Sequence, residues 1–188
     1  MLSKSGFTGV GKSAVHTMGE IDSTEEHMGM TVVNTMLYGI LGQPLSGADV
    51  PTPYKIDNNL CVKWNFVSAF QPFSRQLDTT RYFCGPGNQE NVRHAFATKL
   101  NLNRYYQGAF SKLHEVGGTF YRPMFFEFPE DPLMYEDVQN NVMLGSALKL
   151  SLNSYNTSSV STNFTFPAGL WCQVFNEHGQ GVNECFKS

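Results

Sequence analysis

Charged residues are scarce in this chain of 188 residues. Lysine and arginine together number 13 and aspartate and glutamate 16, which gives a net charge of −3 without any run of basic residues. Proteins that bind nucleic acid concentrate basic residues on one face or in one segment, so this balance argues against a nucleic-acid partner. No apolar stretch approaches the ~20 residues that a membrane-spanning helix needs. The sequence therefore predicts neither nucleic-acid binding nor a membrane span.

Metal-binding patterns are missing, and cysteines are few. The histidines without any ligand spacing are His27, His94, His114 and His178. The sequence therefore predicts no metal and no cofactor.

The four cysteines are an even number, which allows two disulfides in three connectivities. Asn156-Thr157-Ser158 and Asn163-Phe164-Thr165 are glycosylation acceptors if the chain is secreted. Together these features favour an oxidising compartment, and free buried thiols in a cytosolic protein are the alternative.

Apolar periodicity divides the chain, which is 41% hydrophobic, into two patterns. Up to Gly118, short strands alternate with helices, which indicates parallel α/β structure. Strands are predicted at about 1–4, 45–49 and 70–75, and helices at about 24–41, 58–69 and 89–116. A loop is predicted from the first strand to Glu20. Ser23, with Glu26 three residues later, is predicted to cap the first helix.

From Thr119 onwards the pattern changes to antiparallel β-structure. Strands are predicted at about 120–128, 142–152 and 164–175, the last of them broken at 167–169. The change predicts two domains, 1–118 and 119–188, of which the second is an incomplete β-domain.

The stretch from Gly6 to Ser13 matches the phosphate-loop pattern G-x-x-x-x-G-K-[ST] at every fixed position. Such a loop would cradle phosphates with backbone N–H groups and place Lys12 on the outer phosphates. The pattern needs a buried strand before it and a helix after it. Too few residues precede it, and Gly19 follows within six residues of Ser13. We expect no nucleotide binding, and a P-loop nucleotide-binding protein is a distant alternative.

Four motifs, taken in order, give the chain a specific resemblance. They read Ser-Lys-Ser-Gly-Phe-Thr-Gly-Val-Gly-Lys-Ser-Ala-Val-His-Thr-Met-Gly from Ser3, Gly-Gln-Pro-Leu-Ser-Gly-Ala-Asp from Gly42, Phe-Gln-Pro-Phe-Ser-Arg from Phe70 and Arg-Pro-Met-Phe-Phe-Glu-Phe-Pro-Glu-Asp from Arg122. In this order they resemble glycoside hydrolase family 31, the α-glucosidase family. The resemblance spans nearly the whole chain.

The resemblance implies an α/β fold: the last about three βα units of a (β/α)8 TIM barrel, followed by an antiparallel segment that starts a C-terminal β-sandwich domain. A complete barrel has eight strands and typically ~250 residues. The remaining half of the barrel is therefore expected on another chain or fragment. Carbohydrate is the implied ligand. The implied setting is secreted or lumenal: extracellular, lysosome-like or a granule.

Family members are retaining glycosidases that use two carboxylates, both on loops at the C-terminal ends of barrel strands. By resemblance, the nucleophile belongs to an earlier strand that is not in this chain. Glu20 takes the position of the acid/base aspartate and is the candidate catalytic residue. Asp49 and Arg75 match sugar-binding positions, and Lys4 stands where the family has a substrate-contacting arginine.

Several of these positions depart from the family pattern. Glu20 is one methylene longer than aspartate, and an exposed loop carboxylate is its other interpretation. The ammonium of Lys4 does not replace a planar guanidinium fork. Leu77 stands where a sugar-binding histidine is expected and cannot donate a hydrogen bond. Thr17 replaces a tryptophan, whereas His16 is kept and is expected to be a structural, hydrogen-bonded histidine.

The departures predict a fold retained without its chemistry, with a structural or carbohydrate-binding role. A working retaining α-glucosidase whose nucleophile-bearing half is a separate chain is the alternative. The family often pairs a cysteine just after the Gly-Ala-Asp strand with one in the next helix. Here Pro51 occupies the first place and Cys61 the second, so Cys61 is expected to pair with Cys84, and Cys172 with Cys185.

Overall fold

A computed structural model describes residues 1–50, 57–76, 84–153, 163–174 and 184–188. Pro51, Leu77, His178 and the sequon at Asn156 lie outside these residues. Among the described residues, no helix is both long and apolar enough to cross a membrane.

The first sheet is parallel and has four strands in the described part of the chain. They are β1 (Leu2–Ser3), β2 (Val15–Thr17), β3 (Ser46–Val50) and β4 (Phe73–Gln76), hydrogen-bonded in that order. The predicted parallel α/β fold is confirmed. β2 was not predicted, because it lies inside the stretch predicted as loop up to Glu20. A strand of three residues is too short for alternation to reveal it.

Helices cover the parallel strands. They are α1 (Glu25–Ile40), α2 (Asn58–Phe70), α3 (Gln89–Asn101) and α4 (Asn103–Val116). The single helix predicted over 89–116 is wrong in one respect, because the chain breaks at Leu102 between α3 and α4. Thr24, not Ser23, caps α1: its backbone is extended and its hydroxyl accepts a hydrogen bond from the His27 N–H at 3.2 Å.

The described residues of the antiparallel region form two small sheets. β5 (Tyr121–Pro123), β6 (Asn141–Leu144) and β7 (Leu148–Ser151) form one, and β8 (Leu170–Cys172) pairs with β9 (Cys185–Lys187). The strand predicted over 120–128 ends at Pro123, where a 3-10 turn begins. The strand predicted over 142–152 is a hairpin, because Gly145 adopts a φ of +62° and turns the chain. Of the strand predicted over 164–175, only β8 forms among the described residues.

Both expected disulfides are present. Cys61 of α2 bonds to Cys84, and the pair is buried against Val92 of α3. Cys172 bonds to Cys185 and ties β8 to β9. The prediction from the sequence is therefore confirmed for both pairs.

One hydrophobic core runs through both regions. α1 contributes Met28, Val32 and Met36, and the antiparallel region contributes Phe120 and Val142 to the same cluster. The backbone of β5 lies against α1 at Gly39, where a Cβ would be 3.6 Å from the Tyr121 carbonyl oxygen, an ordinary van der Waals distance. The antiparallel sheet therefore packs directly on a helix of the parallel part.

Candidate functional site

The predicted site residues lie together at the C-terminal ends of the parallel strands. Lys4 directly follows β1, and Glu20 follows β2 after two intervening residues, the second of them a glycine. Asp49 and Arg75 are the penultimate residues of β3 and β4. The register pairs Asp49 directly with Arg75. In (β/α)8 barrels this edge, where the strands end, carries the functional groups. The fold thus collects at one edge residues that are 71 positions apart in the sequence (75 minus 4).

Asp49 and Arg75 form a bidentate ion pair. Arg75 Nε lies 3.0 Å from Asp49 Oδ1, and Nη2 lies 2.6 Å from Oδ2. The Asp49 side chain is 2% exposed, whereas that of Arg75 is 42% exposed. The hydrogen bond to Asp49 raises the pKa of the Arg75 guanidinium. Both carboxylate oxygens are therefore occupied, and the solvent-facing part of the pair is the guanidinium.

Thr17 links Asp49 to the loop that carries Glu20. Its buried hydroxyl accepts a hydrogen bond from the Gly19 N–H at 3.0 Å and lies 3.5 Å from Asp49 Oδ1. The Asp49 N–H in turn donates to the Gly19 carbonyl oxygen at 3.2 Å. From the sequence, Thr17 was noted only as the replacement of a tryptophan. No sequence pattern indicated that the Thr17 hydroxyl would face β3.

Lys4 lies across Gly19. Gly19 has a φ of +75°, and a Cβ added there would lie 2.7 Å from Cε and 2.8 Å from Nζ of Lys4. Gly19 therefore has room for no side chain while Lys4 keeps this position. Glu20, the next residue, is exposed at the rim. The structure thus brings Lys4 to the Glu20 loop, and the backbone of that loop to Asp49.

His16 has a different environment from the one predicted. It is 2% exposed, and its ring stacks on Tyr38 of α1 with centroids 3.7 Å apart. Neither ring nitrogen has a hydrogen-bond partner among the described residues, so the prediction of a hydrogen-bonded histidine is wrong. Burial lowers the pKa of His16, which favours the neutral ring. His16 therefore acts as a packing residue behind the site edge.

Gln71 holds the base of β3 and β4 together, a role that the sequence did not reveal. Its Nε2 donates to Thr31 Oγ1 at 2.8 Å, and its Oε1 accepts from the Ala48 N–H at 3.4 Å. Its backbone carbonyl accepts from Lys99 Nζ at 2.9 Å. Burial lowers the pKa of Lys99 to about 8. The strands that carry Asp49 and Arg75 are thus fixed from below by α1 and α3.

The phosphate-loop match does not have the required surroundings. Its centre is a 3-10 turn, Val10–Lys12, and the next element is β2 rather than a helix. Backbone N–H groups that would hold phosphates are used inside the turn: Val10 donates to Phe7 at 3.0 Å and Lys12 to Gly9 at 3.1 Å. This geometry supports the expectation that the stretch binds no nucleotide.

A second concavity lies away from the strand ends, between α2, α3 and the antiparallel region. It has a volume of about 920 Å³ and an aromatic lining that includes Phe66, Phe128, Phe166 and Trp171. Its ammonium group, Lys149 Nζ, donates to Asn141 Oδ1 at 2.9 Å and lies 4.2 Å from the Phe166 ring centroid. Burial lowers the pKa of Lys149 to about 8.

The described residues contain no group of three or more histidine, cysteine or carboxylate side chains that could hold a metal ion.

Family models match most of the chain. The glycosyl hydrolases family 31 TIM-barrel domain matches residues 1–107, and the family 31 C-terminal domain matches residues 117–186. The chain belongs to glycosyl hydrolase family 31. The resemblance seen in the four sequence motifs is therefore confirmed.

Curated relatives agree with this membership but are much longer. The lysosomal alpha-glucosidase of Mus musculus is 33% identical over 178 residues, which cover 91% of this chain and 18% of the relative. Alpha-xylosidase 1 of Arabidopsis thaliana is 28% identical over 188 residues, which cover 94% of this chain and 20% of that relative. The family 31 chain thus spans about a fifth of the length of these relatives.

Solved structures share the fold. The cycloalternan-degrading enzyme from Trueperella pyogenes in complex with isomaltose has a TM-score of 0.82 at 19% identity, covering 99% of this chain and 28% of that one. The family 31 alpha-glucosidase from Bacteroides thetaiotaomicron has a TM-score of 0.66 at 25% identity, covering 74% and 25%. The strand ends of this family 31 chain thus belong to a barrel-type fold.

Proposed function

We propose that this family 31 chain serves a structural or carbohydrate-binding role and does not hydrolyse α-glucosides at a family-like rate. The state of Asp49 carries the proposal. Both of its carboxylate oxygens accept hydrogen bonds from Arg75, and the Thr17 hydroxyl lies against one of them. A carboxylate engaged in this way has little capacity left for sugar hydroxyls. The exposed guanidinium of Arg75 is then the group that meets a ligand.

The other proposed site residues also weaken the catalytic interpretation. Glu20 would serve as acid/base in place of an aspartate, and its extra methylene moves the carboxyl by more than the ~1 Å misplacement that can cost about 10²-fold in rate. Lys4 offers a point charge that cannot grip a sugar through two parallel bonds. Lost polar contacts of about 1–3 kcal/mol each, if made in the transition state, are enough to suppress turnover. Sugar binding through Lys4 and the exposed guanidinium of Arg75 survives in this proposal, with Asp49 holding Arg75 in place.

The proposed setting is an extracellular or lumenal assembly. Two closed disulfides favour an oxidising compartment, and the name of the mouse relative includes a lysosomal location. The four parallel strands leave β1 and β4 as edges among the described residues, and unpaired edges recruit further strands. We propose that the remaining barrel strands, on another chain or fragment, pair with these edges. The division into domains at 118 and 119 is part of the same proposal.

The test is an activity assay on the intact native assembly. Turnover of an aryl α-glucoside and of maltose is measured for the native protein and for its Glu20→Gln variant. We expect rates close to the background in both, together with measurable sugar binding by titration calorimetry that Arg75→Gln weakens. Robust turnover that Glu20→Gln abolishes would overturn the proposal. Loss of sugar binding with no turnover would leave the purely structural role.

The alternative is an active retaining α-glucosidase whose nucleophile is supplied by a separate chain. One observation favours it: the loop that carries Glu20 is held rigidly to β3 through Thr17, Gly19 and Asp49. A carboxyl group on a well-supported loop can act as a general acid. Because this alternative needs the missing half of the barrel, it requires the same assay on the assembled protein.

A further inference from the structure

The segment from Asn163 to Phe166 has two distinct faces. Asn163 and Thr165 are exposed, whereas Phe164 and Phe166 are half-buried. The alternation ends at Pro167, which is buried. No helix or strand includes these residues. An alternation with a period of two is typical of extended backbone, in which successive side chains point to opposite sides. Asn163 and Thr165 therefore share the solvent-facing side.

The inward face is firmly anchored. The Phe166 ring lies 5.4 Å from that of Trp171 and 5.0 Å from that of Phe186, both edge to face. Lys149 Nζ lies over the same ring, and Phe166 also offers its carbonyl oxygen to the Ser188 hydroxyl at 2.9 Å. These contacts fix which side of the segment faces solvent. Asn163 and Thr165 have no hydrogen-bonded partner among the described residues that would cover them.

We propose that Asn163 carries an N-linked glycan. Asn163-Phe164-Thr165 has the acceptor pattern, with a residue other than proline between asparagine and threonine. The geometry adds what the pattern alone lacks, because the acceptor amide and the recognised hydroxyl lie on one accessible side. The proposal rests on the lumenal or secreted setting proposed above, since the sugar donor is present only there.

The transfer joins Asn163 Nδ2 to the anomeric carbon of an oligosaccharide. The donor is a lipid-linked oligosaccharide diphosphate. The bond between the anomeric carbon and the diphosphate oxygen breaks, and the lipid diphosphate leaves with its electron pair. One amide proton is lost to a base of the transferase. No oxidant or reductant takes part, and the chain supplies only the amide nitrogen and the threonine hydroxyl that positions it.

The test expresses the full chain in a eukaryotic cell behind a supplied secretion leader, so that the compartment is not in question. Electrophoretic mobility is compared before and after treatment with a peptide N-glycosidase, and the released site is mapped by deamidation in heavy-oxygen water. The variants are Asn163→Gln and Thr165→Ala, with Thr165→Ser as the conservative control. Asn156→Gln separates the contribution of the other sequon.

We expect a glycosidase-sensitive shift that persists in Asn156→Gln. Asn163→Gln and Thr165→Ala should each reduce the shift by one glycan, and Thr165→Ser should retain it. The thermal unfolding temperature of Asn163→Gln should be close to that of the unsubstituted, deglycosylated chain, because the Asn163 amide makes no hydrogen bond to a described residue. A translocated chain without a shift at Asn163, or with a shift that depends only on Asn156, would overturn the proposal. Free thiols in native material would instead count against the lumenal setting and leave the site result intact.

Discussion

The parallel and antiparallel regions of this family 31 chain bury different kinds of side chain. Fully buried polar groups line the parallel strands and the helices on them, and include Thr17, Ser46, Asp49, Asn65 and Gln71. The antiparallel region buries mainly rings and thioethers, including Phe120, Tyr121, Met124 and Met143. Polar burial requires directed hydrogen bonds, whereas apolar burial requires shape. The region that displays the candidate site is therefore the one with the stricter geometry.

This contrast has a consequence for tolerance to substitution. The Gln71 side chain cannot be replaced by an apolar one without removing its hydrogen bonds to the Thr31 hydroxyl and the Ala48 N–H. A methionine such as Met143 can be exchanged for another apolar residue of similar volume at a cost below about 1.5 kcal/mol. The predictions below test whether backbone and polar geometry indeed govern the parallel region more strongly than the antiparallel one.

The largest effect is expected from Gly47→Ala in β3. A Cβ at Gly47 would overlap the carbonyl oxygen of Phe73 in β4 and lie 3.4 Å from Gln71 Oε1. Because a main-chain carbonyl in a sheet cannot move aside, we expect a loss of more than about 4 kcal/mol in the free energy of unfolding, which is exceptional for one substitution. Urea unfolding of the intact protein measures it.

Gly108→Ala is the matched control. Gly108 lies in α4, and a Cβ there would meet nothing within 4 Å. Alanine at an exposed helix position should stabilise the protein by about 0.5–1 kcal/mol. Equal stability of Gly47→Ala and the native protein would mean that β3 and β4 can separate without cost.

The disulfides are the second comparison, one in each region. Cys61–Cys84 has a sequence separation of 23 and is buried, whereas Cys172–Cys185 has a separation of 13 and is exposed. Loop entropy alone gives each about 3 kcal/mol. Replacing the first pair by alanines should cost about 1 kcal/mol more, because it also opens space beside Val92.

Thermal unfolding of the two double-alanine variants, compared under oxidising conditions, measures this difference. Native protein treated with a reductant provides the control, since it loses both crosslinks and should be destabilised at least as much as either variant. A larger loss from the Cys172–Cys185 pair would reverse the ranking and place the more important crosslink in the antiparallel region.

Sequence patterns predicted the larger elements of both regions for identifiable reasons. α1 and α2 have long apolar periodicity and clear boundaries, and their predicted ends lie close to those observed. β2 was missed because three residues carry no period. The break at Leu102 was missed because neither glycine nor proline marks it, and apolar spacing continues from α3 into α4.

The candidate site was predicted as a set of positions and not as a network. Resemblance supplied Lys4, Glu20, Asp49 and Arg75 from separate motifs. The pairing of Asp49 with Arg75 depends on the register of β3 with β4, which no single motif contains. Thr17 and Gln71 were missed because their roles arise from contacts across strands and helices, and such contacts leave no local pattern.

The third prediction concerns pH and one lysine in each region. Burial lowers the pKa of both Lys99 and Lys149 to about 8, below the ordinary value of 10.5. Between these values the unfolded chain binds more protons than the folded one, so the free energy of unfolding rises with pH. Lys99 should add about 2 kcal/mol between pH 8 and pH 10. Lys149 should add less, because it is the more exposed of the two and solvent screens its charge.

Urea unfolding at intervals across this range measures the rise. Lys99→Met should remove the larger part of it and Lys149→Met the smaller part. If only Lys99→Met flattens the profile, the antiparallel region is hydrated around Lys149, and its core is looser than the contacts suggest. A profile that falls with pH in the native protein would contradict the sign of both shifts.

The smallest effect is expected from Tyr105→Phe. The Tyr105 side chain connects the two regions. The Tyr105 hydroxyl, on α4, donates to the Leu144 carbonyl oxygen at 2.6 Å and accepts from the Ala147 N–H at 3.4 Å. Gly145 makes this approach possible, because a Cβ there would lie 2.5 Å from the same hydroxyl oxygen. Removing the hydroxyl leaves the Leu144 carbonyl without this donor and should cost about 1 kcal/mol.

Tyr135→Phe provides the matched control, since its hydroxyl also donates to a carbonyl oxygen, that of Pro129, at 3.0 Å, but the side chain is exposed. Water can replace that bond, so its loss should cost less than about 0.5 kcal/mol. Amide hydrogen exchange locates the effect: Tyr105→Phe should speed exchange at Ala147 and leave the Gly19 amide, which is bonded to Thr17, unchanged. Faster exchange at Gly19 as well would mean that the hairpin supports the strand-end site, and the two regions would then have to be treated as one cooperative unit.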